Sequence, residues 1–318
     1  MTTQPNGQPD ALPSWNEGDA KKSIVDFVRR TTSEGSPQFV PVRERIALFD
    51  NDGTLWVEQP MYTQLAFVLD DVKRLAPAHP EWQTNEPFRS VLEDDMAGVA
   101  ASGTIGVMKL LGATQTGMST ADFSKAVTDW IESARHPRFK RPYTECVYQP
   151  MLELMRYLRA NDFKTYIVTG GGTEFVRPWA PQTYGVPVEQ IVGSSLKTTF
   201  EMRDGKPVLI RTPEIYLMDD GLGKPVGIHQ FIGTQPIAAF GNSDGDLQML
   251  EWTAVGDGAR LLLIVHHTDA EREYAYDTHS PFGRLDKALQ TAKARGWTVV
   301  DMKRDWKTIF PDSANDAV

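Results

Sequence analysis

The segment 46–55, with the sequence IALFDNDGTL, constrains the fold of this chain more than any other feature. Its four apolar residues run directly into Asp50, which is followed closely by Asp52 and Gly53. An uninterrupted apolar run that ends in an Asp/Gly turn is typical of a buried parallel strand. In open α/β sheets, ligands bind in the crevice beyond the carboxyl ends of the strands. The sequence therefore predicts that Asp50 and Asp52 lie at the mouth of a site.

Two carboxylates this close repel each other, so Asp50 and Asp52 need a positive partner or a shared proton. A divalent cation is the simplest partner, because Mg²⁺ takes carboxylate and carbonyl oxygens and keeps positions open for water and phosphate. A calcium loop of the EF-hand type is excluded, since Leu48 and Gln59 would stand at two of its ligand positions. An ordinary Asp-Gly turn without chemistry is the alternative for this segment taken alone.

The order of the predicted elements indicates an α/β protein with an inserted helical domain. Between residues 59 and 145 the apolar spacing is helical and shows no convincing strand. Strand and helix alternate afterwards, which favours a doubly wound, Rossmann-like parallel sheet, with a β-hairpin over 196–211. We therefore predict a poorly ordered N-terminal tail over residues 1–20 and a helical cap over residues 58–145. The core is predicted in two pieces, residues 21–57 and 146–318.

Two further predicted strands end in turns rich in glycine and polar residues. One runs into Thr169 and three glycines, and the other runs into the acidic segment 241–246, with the sequence GNSDGD. Lys224 begins a predicted helix between them. Alone, each of these features has an ordinary explanation: a glycine turn, a solvated lysine and an acidic helix N-terminus. Their shared location at strand ends favours one common site.

In this order, the motifs resemble those of the haloacid dehalogenase superfamily of phosphohydrolases. The resemblance covers residues 46–250 and is greatest to the phosphoserine-phosphatase-like branch, whose helical cap is inserted directly after the first motif. It implies a Rossmann-like core, a mobile helical cap and Mg²⁺-dependent phosphoryl transfer through an aspartyl-phosphate.

The resemblance assigns a role to each residue of the first motif's acidic pair. Asp50 would be the nucleophile that attacks phosphorus. Asp52 would protonate the leaving oxygen and then activate water as a base. Dehalogenases of the superfamily lack this second acid, because a halide leaves without a proton. The presence of Asp52 therefore favours hydrolysis of a phosphate ester over dehalogenation.

By the same resemblance, the glycine turn and the lysine bind the phosphate. Thr169 and the main-chain N–H groups that follow it, at Gly170 and Gly171, would hold phosphate oxygens. Lys224 would offset the charges of nucleophile and phosphate, which would otherwise repel at contact distance.

Mg²⁺ would be held by Asp50, by Asp52 through its carbonyl group, and by the acidic loop. Asn242 stands where the family usually has an aspartate, and its amide oxygen can still bind a metal without adding charge. Asp244 is one candidate to supply that charge, and Asp246 stands at the position that matches the family's second aspartate.

Two residues of the predicted cap are candidates for substrate contact. Glu58 stands near the point where phosphoserine-type enzymes meet the substrate amine, although an acid that complements a helix dipole is an equal alternative. Arg89 would bind a substrate carboxylate, with a solvated surface arginine as its alternative. The adjacent His266 and His267 point to opposite faces of a strand, so we do not expect them to share a metal ion.

Composition excludes several classes of function. The net charge of −9 and the scattered basic residues indicate no nucleic-acid partner. No apolar run approaches the ~20 residues that span a bilayer, so no membrane partner is expected. Cys146, the single cysteine, allows no intrachain disulfide and is expected to be a small buried apolar residue. As written, the chain is predicted to be cytoplasmic, although a removed leader would not be visible.

The predicted function is a Mg²⁺-dependent phosphomonoester hydrolase whose partner is a small phosphorylated metabolite. Two alternatives stay open at this point: a phosphotransferase of the same superfamily, and a non-catalytic homologue that binds phosphate. The sequence gives no indication of the oligomeric state.

Overall fold

A computed structural model describes residues 10–311, without the side chain of Thr104. A seven-stranded sheet forms its centre, with the strand order β4-β3-β2-β1-β5-β6-β7. The strands are β1 (Ile46–Phe49), β2 (Lys164–Gly172), β3 (Ile191–Arg203), β4 (Lys206–Leu217), β5 (Ala238–Gly241), β6 (Leu261–His266) and β7 (Thr298–Asp301).

Thirteen α-helices surround or extend this sheet in the described part of the chain. They are α1 (Asp19–Thr32), α2 (Thr63–Leu75), α3 (Phe88–Leu92), α4 (Met96–Ala101), α5 (Gly103–Gln115), α6 (Thr120–Ser133), α7 (Gln149–Ala160), α8 (Thr173–Val176), α9 (Ala180–Tyr184), α10 (Gly223–Phe231), α11 (Leu247–Ala254), α12 (Lys287–Arg295) and α13 (Met302–Asp305).

The central strand β1 is the point at which the winding of the sheet reverses. It pairs in parallel with β2 on one side and with β5 on the other, so that Ala47 lies opposite both Thr165 and Ala238. All four of its residues are buried, which explains the uninterrupted apolar run in the sequence. Such a reversal opens a crevice at the carboxyl ends of the strands. The residues that follow β1, β2 and β5 therefore meet at one edge.

The predicted fold class is confirmed. All neighbouring strands are parallel except β3 and β4, which form the predicted hairpin and reach further than the expected residues 196–211. Helices α2 to α6 fill the predicted insertion between β1 and α7, and residues 59–145 contain no strand of the sheet. That this helical block moves as a separate cap stays a prediction.

The prediction of a poorly ordered tail is wrong from residue 10 onwards, while residues 1–9 lie outside the described part. Leu12 and Trp15 are buried, and the Trp15 ring meets that of Trp306 edge to face, with their centroids 6.0 Å apart. Two apolar side chains in an otherwise polar segment are enough to hold it on the core.

Two smaller expectations concern Cys146 and the membrane. Cys146 is buried, as expected of a small apolar residue, and burial raises the pKa of its thiol to about 12. Between residues 10 and 311, no helix combines the length and apolar character needed to cross a bilayer.

Candidate active site

A cavity of about 720 Å³ opens at the carboxyl ends of β1, β2 and β5. Its lining includes four of the residues predicted from the motifs, namely Asp50, Asp52, Lys224 and Asp246. These residues come from two loops and one helix that are distant in sequence. The sheet topology therefore brings the predicted motifs together in one site.

Lys224 is the electrostatic centre of this site. Its Nζ lies 2.6 Å from Asp50 Oδ1, 2.6 Å from Asp246 Oδ1 and 2.9 Å from the carbonyl oxygen of Val168. Burial alone would lower the pKa of Lys224, but the charges of Asp246 and Asp50 outweigh it and raise the pKa. The ammonium group therefore stays charged and fixes the orientation of the Asp50 carboxylate.

Asp52 has the surroundings of an acid that can hold a proton near neutral pH. The indole N–H of Trp56 donates to its Oδ1 at 2.9 Å. Burial raises the pKa of Asp52 to about 6, although the Trp56 hydrogen bond opposes this shift. The intervening Asn51 is buried and accepts a hydrogen bond of 3.0 Å from the hydroxyl of Tyr184, so it has a structural role.

The glycine turn after β2 faces the cavity, whereas Thr169 supports it from behind. Gly170 and Gly171 line the cavity, but Thr169 is fully buried and does not. The Thr169 hydroxyl accepts a hydrogen bond of 3.0 Å from the Gly171 N–H. A β-carbon placed on Gly171 would lie 3.7 Å from Asp52 Oδ2, so the turn and the first motif are in close proximity. Thr169 thus shapes the turn, and its direct contact with phosphate stays a prediction.

Asp246 is held by the loop in which it lies. Its Oδ2 accepts hydrogen bonds from the main-chain N–H groups of Asn242 and Ser243, at 2.9 and 3.0 Å, while its Oδ1 binds Lys224. Both oxygens of Asp246 are therefore already used in this arrangement. Its side chain positions Lys224 and Asn242, and a metal contact by Asp246 or Asn242 stays a prediction.

The structure contradicts the expectation that Asp244 supplies the charge that Asn242 lacks. Asp244 Oδ1 accepts hydrogen bonds from the main-chain N–H groups of Asp286 and Ala288, at 3.0 and 2.9 Å. These groups belong to the first turn of α12, where unpaired N–H donors attract a carboxylate. Asp244 is also absent from the residues that line the cavity, so its role is to cap a helix.

Glu58 takes the place next to Asn242. It is buried, lines the cavity, and accepts hydrogen bonds from Asn242 Nδ2 at 2.6 Å and from the Tyr276 hydroxyl at 2.8 Å. Burial raises the pKa of Glu58 well above its usual range, and the hydrogen bond from Tyr276 opposes this shift. The predicted location of Glu58 in the site is correct, but its Oε1 is already engaged by protein donors.

Arg89 lies outside the cavity, on the surface of α3. On α3 its guanidinium pairs with the carboxylates of Glu86 and Glu93, and its side chain is half exposed. It does not line the cavity. The structure therefore supports the solvated surface arginine over the predicted substrate contact.

His267 is a supporting residue to which the sequence analysis assigned no role in the site. Its Nε2 donates to the carbonyl oxygen of Gly53 at 2.7 Å, and its Nδ1 lies 3.1 Å from Oε2 of the buried Glu273. The His267 ring also stacks on that of Tyr276, which binds Glu58. A usable signal existed, because His267 directly follows β6 and so lies at the same edge of the sheet as the other motifs.

The donor set fits a hard divalent cation. Asp50 Oδ2 and Asn242 Oδ1 lie 3.3 and 3.1 Å from the same hydroxyl, that of Thr54, so two oxygen ligands converge on one point. Around them four carboxylates (Asp50, Asp52, Glu58, Asp246) face one buried ammonium group.

Within residues 10–311, no three His, Cys, Asp or Glu side chains form a ready metal cluster. Mg²⁺ requires no such cluster, because it binds through one or two carboxylates and keeps several waters. Asp50, Asn242 and the carbonyl group of Asp52 are therefore a sufficient protein contribution.

Comparison with known proteins extends this picture. A family model described as haloacid dehalogenase-like hydrolase matches residues 47–251. A conserved, functionally unknown protein from Anaerococcus prevotii is 14% identical in sequence, with a TM-score of 0.59, over 95% of this chain and 98% of that chain. At this identity the likeness shows the fold alone.

Two further solved structures have lower TM-scores. A protein with unknown function from Bordetella pertussis is 19% identical over 81% of this chain and 99% of that chain, with a TM-score of 0.49. A phosphoserine phosphohydrolase-like protein from Francisella tularensis is 16% identical over 70% of this chain and 87% of that chain, with a TM-score of 0.38. Neither likeness is close enough to carry an argument. No curated protein matches this chain.

Proposed function

This chain belongs to the haloacid dehalogenase-like hydrolase family, and we propose that within it the protein hydrolyses phosphomonoesters of small organic molecules with the help of Mg²⁺. The proposal rests chiefly on one observation. The Asp50 carboxylate lies in the cavity, 2.6 Å from the ammonium group of Lys224, with Asp52 beside it.

In the proposed reaction, an Asp50 oxygen attacks phosphorus and the bond from phosphorus to the ester oxygen breaks. The departing oxygen takes a proton from Asp52, whose pKa of about 6 lets it hold that proton near neutral pH. Asp52, now ionised, removes a proton from water, which attacks the aspartyl-phosphate and restores Asp50. Lys224 offsets the negative charge that accumulates between nucleophile and phosphate.

Mg²⁺ would be held by Asp50, the Asp52 carbonyl group and Asn242, and when bound it would neutralise phosphate charge. Asn242 brings no charge of its own. Because the Glu58 carboxylate accepts from Asn242 Nδ2 at 2.6 Å, the amide oxygen is turned toward Asp50. Asn242, oriented by Glu58, would therefore present an amide oxygen where the family usually has an aspartate.

Replacement of Asp50 tests this proposal. With 4-nitrophenyl phosphate and Mg²⁺, Asp50→Asn should lower kcat by at least about 10⁴-fold, because an amide cannot form the acyl-phosphate. Asp129→Asn is the matched control, since that aspartate is exposed on α6 and pairs only with Lys125. Thermal unfolding of both variants checks that they are folded.

A turnover of Asp50→Asn within tenfold of the parent enzyme would contradict the proposed mechanism. Loss of the parent's activity on addition of a chelator, and its recovery on addition of excess Mg²⁺, is the expected outcome for the metal. Phosphate release measured with and without an added alcohol distinguishes hydrolysis from transfer.

A further inference from the structure

The cavity extends well beyond the catalytic residues, and helix α5 forms one side of it. Seven residues of α5 line the cavity, namely Ile105, Val107, Met108, Lys109, Leu111, Gly112 and Gln115. Five of them recur at a spacing that places them on one face of the helix, and Val107 and Lys109 flank this face on either side. This face of α5 is therefore turned toward the cavity along most of its length.

The hairpin forms the opposite side. Alternate residues of β4 line the cavity, namely Arg211, Pro213, Ile215 and Leu217. Because side chains alternate between the faces of a strand, one face of the second half of β4 is turned inward. The α5 and β4 faces together define the wall of the cavity, and most of their side chains are apolar.

Three apolar side chains of this cavity are in contact with solvent. The exposed fractions of Ile105, Met218 and Ile215 are 74%, 50% and 41%. Clustered exposed apolar side chains at the edge of a concave site are typical of a surface that a ligand covers. A volume of about 720 Å³ leaves room for much more than a phosphate group.

Two of the charged groups that line the cavity already have partners in the protein, whereas Lys109 of α5 is exposed. Arg211 is buried, forms an ion pair with Glu174 and lies over the ring of Phe123, with its guanidinium carbon 3.9 Å from the ring centroid. Glu58, the candidate for an amine, is engaged by Asn242 and Tyr276. An amine on the leaving group would therefore lose hydration without gaining a free carboxylate at Glu58, and a carboxylate would find Arg211 already paired.

We propose that the substrate is a phosphate monoester of an apolar alcohol, with an alkyl chain or aromatic ring that lies between α5 and β4. This inference rests on the proposed function, because it places the phosphate at Asp50 and Lys224. It goes beyond that function in naming the class of leaving group.

The experiment compares n-alkyl phosphates from ethyl to octyl, below their micelle concentrations, with phosphoserine and glycerol phosphate. Each methylene that packs against the wall should raise kcat/KM about threefold, so that kcat/KM for octyl phosphate exceeds that for butyl phosphate by about 10²-fold. The two polar esters should fall below butyl phosphate. A kcat/KM that is constant or decreases with chain length, or that favours phosphoserine, would overturn the inference.

A substitution at Gly112 tests the location. A β-carbon added at this position meets no atom within 4 Å, so a larger side chain can enter the cavity without a clash at its base. Gly112→Phe should lower the octyl-to-butyl ratio of kcat/KM by at least about tenfold, since its ring fills the space that the longer chain would use. Gly112→Ala is the matched control and should change this ratio by less than about threefold, the effect of one methyl group. A ratio unaffected by Gly112→Phe would place the alkyl chain elsewhere and overturn the inference.

Binding of alkylphosphonates, which cannot be hydrolysed, separates this inference from the proposed function. By calorimetry, octylphosphonate should bind more tightly than ethylphosphonate to the parent protein, and Gly112→Phe should remove the difference. If no phosphate ester were hydrolysed but this binding pattern held, the proposed function would fail and the apolar site would stand. If esters were hydrolysed but both phosphonates bound equally, the function would stand and the apolar site would fail.

Discussion

The floor of the cavity (Asp50, Asp52, Lys224, Asn242 and Asp246) and its wall are held in different ways. Hydrogen bonds fix the polar groups of the floor, and the two oxygens of Asp246 alone bind one ammonium group, two main-chain N–H groups and one hydroxyl. The wall consists mainly of apolar side chains, two of which, Ile105 and Ile215, are exposed at its edge. Chemistry that depends on fixed charges needs the first arrangement, while a surface for an apolar group tolerates the second.

The largest effect on the floor is expected from a substitution of Lys224. In Lys224→Met, the buried carboxylates of Asp50 and Asp246 lose their shared cation, which should lower the free energy of unfolding by about 3–5 kcal/mol. Activity should also be lost, because the charge that offsets the phosphate is gone. Lys125→Met removes an exposed lysine of a surface pair and should cost less than about 1 kcal/mol. Urea unfolding measures both, and equal losses would show that the floor does not depend on Lys224.

Asp219 is a carboxylate that, unlike those of the floor, is not fixed by hydrogen bonds. It is fully buried, and neither of its oxygens has a hydrogen-bond partner of good geometry. Burial raises the pKa of Asp219 to about 7, although Lys224 opposes the shift. Because the folded-state pKa exceeds the unfolded value, the proton stabilises the folded state, fully below about pH 4, and this stabilisation is lost as pH rises toward 7.

Asp219→Asn should therefore raise the free energy of unfolding at pH 8, by about 2–4 kcal/mol, because its side chain is neutral at every pH. The difference between variant and parent should shrink as the pH falls and disappear below about pH 4. Urea unfolding at several pH values gives this difference curve. A difference that does not change between pH 4 and 8 would show that Asp219 does not titrate in this range.

The floor was largely predictable from the sequence, since most of its residues follow strands whose carboxyl ends must meet in a parallel sheet. Asp50, Asp52 and Asp246 follow strands in this way, whereas Lys224 begins a predicted helix and its role was implied by the family resemblance. His267 follows the same logic, but its neighbours in sequence carry no motif. Its contact with Gly53 depends on the order of the strands, which the sequence did not provide.

Two features could not be predicted from the sequence: that α5 and β4 form the wall, and that Asp244 in the acidic loop caps α12. Asp244 is drawn to the first turn of α12, more than 40 positions later in the chain, and no local pattern announces this contact. Arg89 has acidic neighbours on its own helix that neutralise it. The faces of α5 and β4 can be read from their periodicity, but that they lie opposite each other is a tertiary fact.

Asp244→Ala sharpens the distinction between a helix cap and a metal ligand. Loss of the two hydrogen bonds to the start of α12 should lower the free energy of unfolding by about 1 kcal/mol. The affinity for Mg²⁺, measured by calorimetry, should stay unchanged, whereas Asn242→Ala should lower it by at least about tenfold. A similar fall in affinity for Asp244→Ala would return this residue to the metal site.

The smallest effect is expected from one methyl group on the wall. Gly112 lies within α5, where glycine is less favourable than alanine by about 0.5–1 kcal/mol, and its added β-carbon meets no atom within 4 Å. Gly112→Ala should therefore raise the free energy of unfolding by that amount. The same change on the floor, Gly53→Ala, should lower it, because Gly53 has a φ of 74° and its β-carbon would lie 2.1 Å from Asn242 Nδ2. Urea unfolding of the two variants compares wall and floor directly, and effects of the same sign would mean that the two regions do not differ in their tolerance of added atoms.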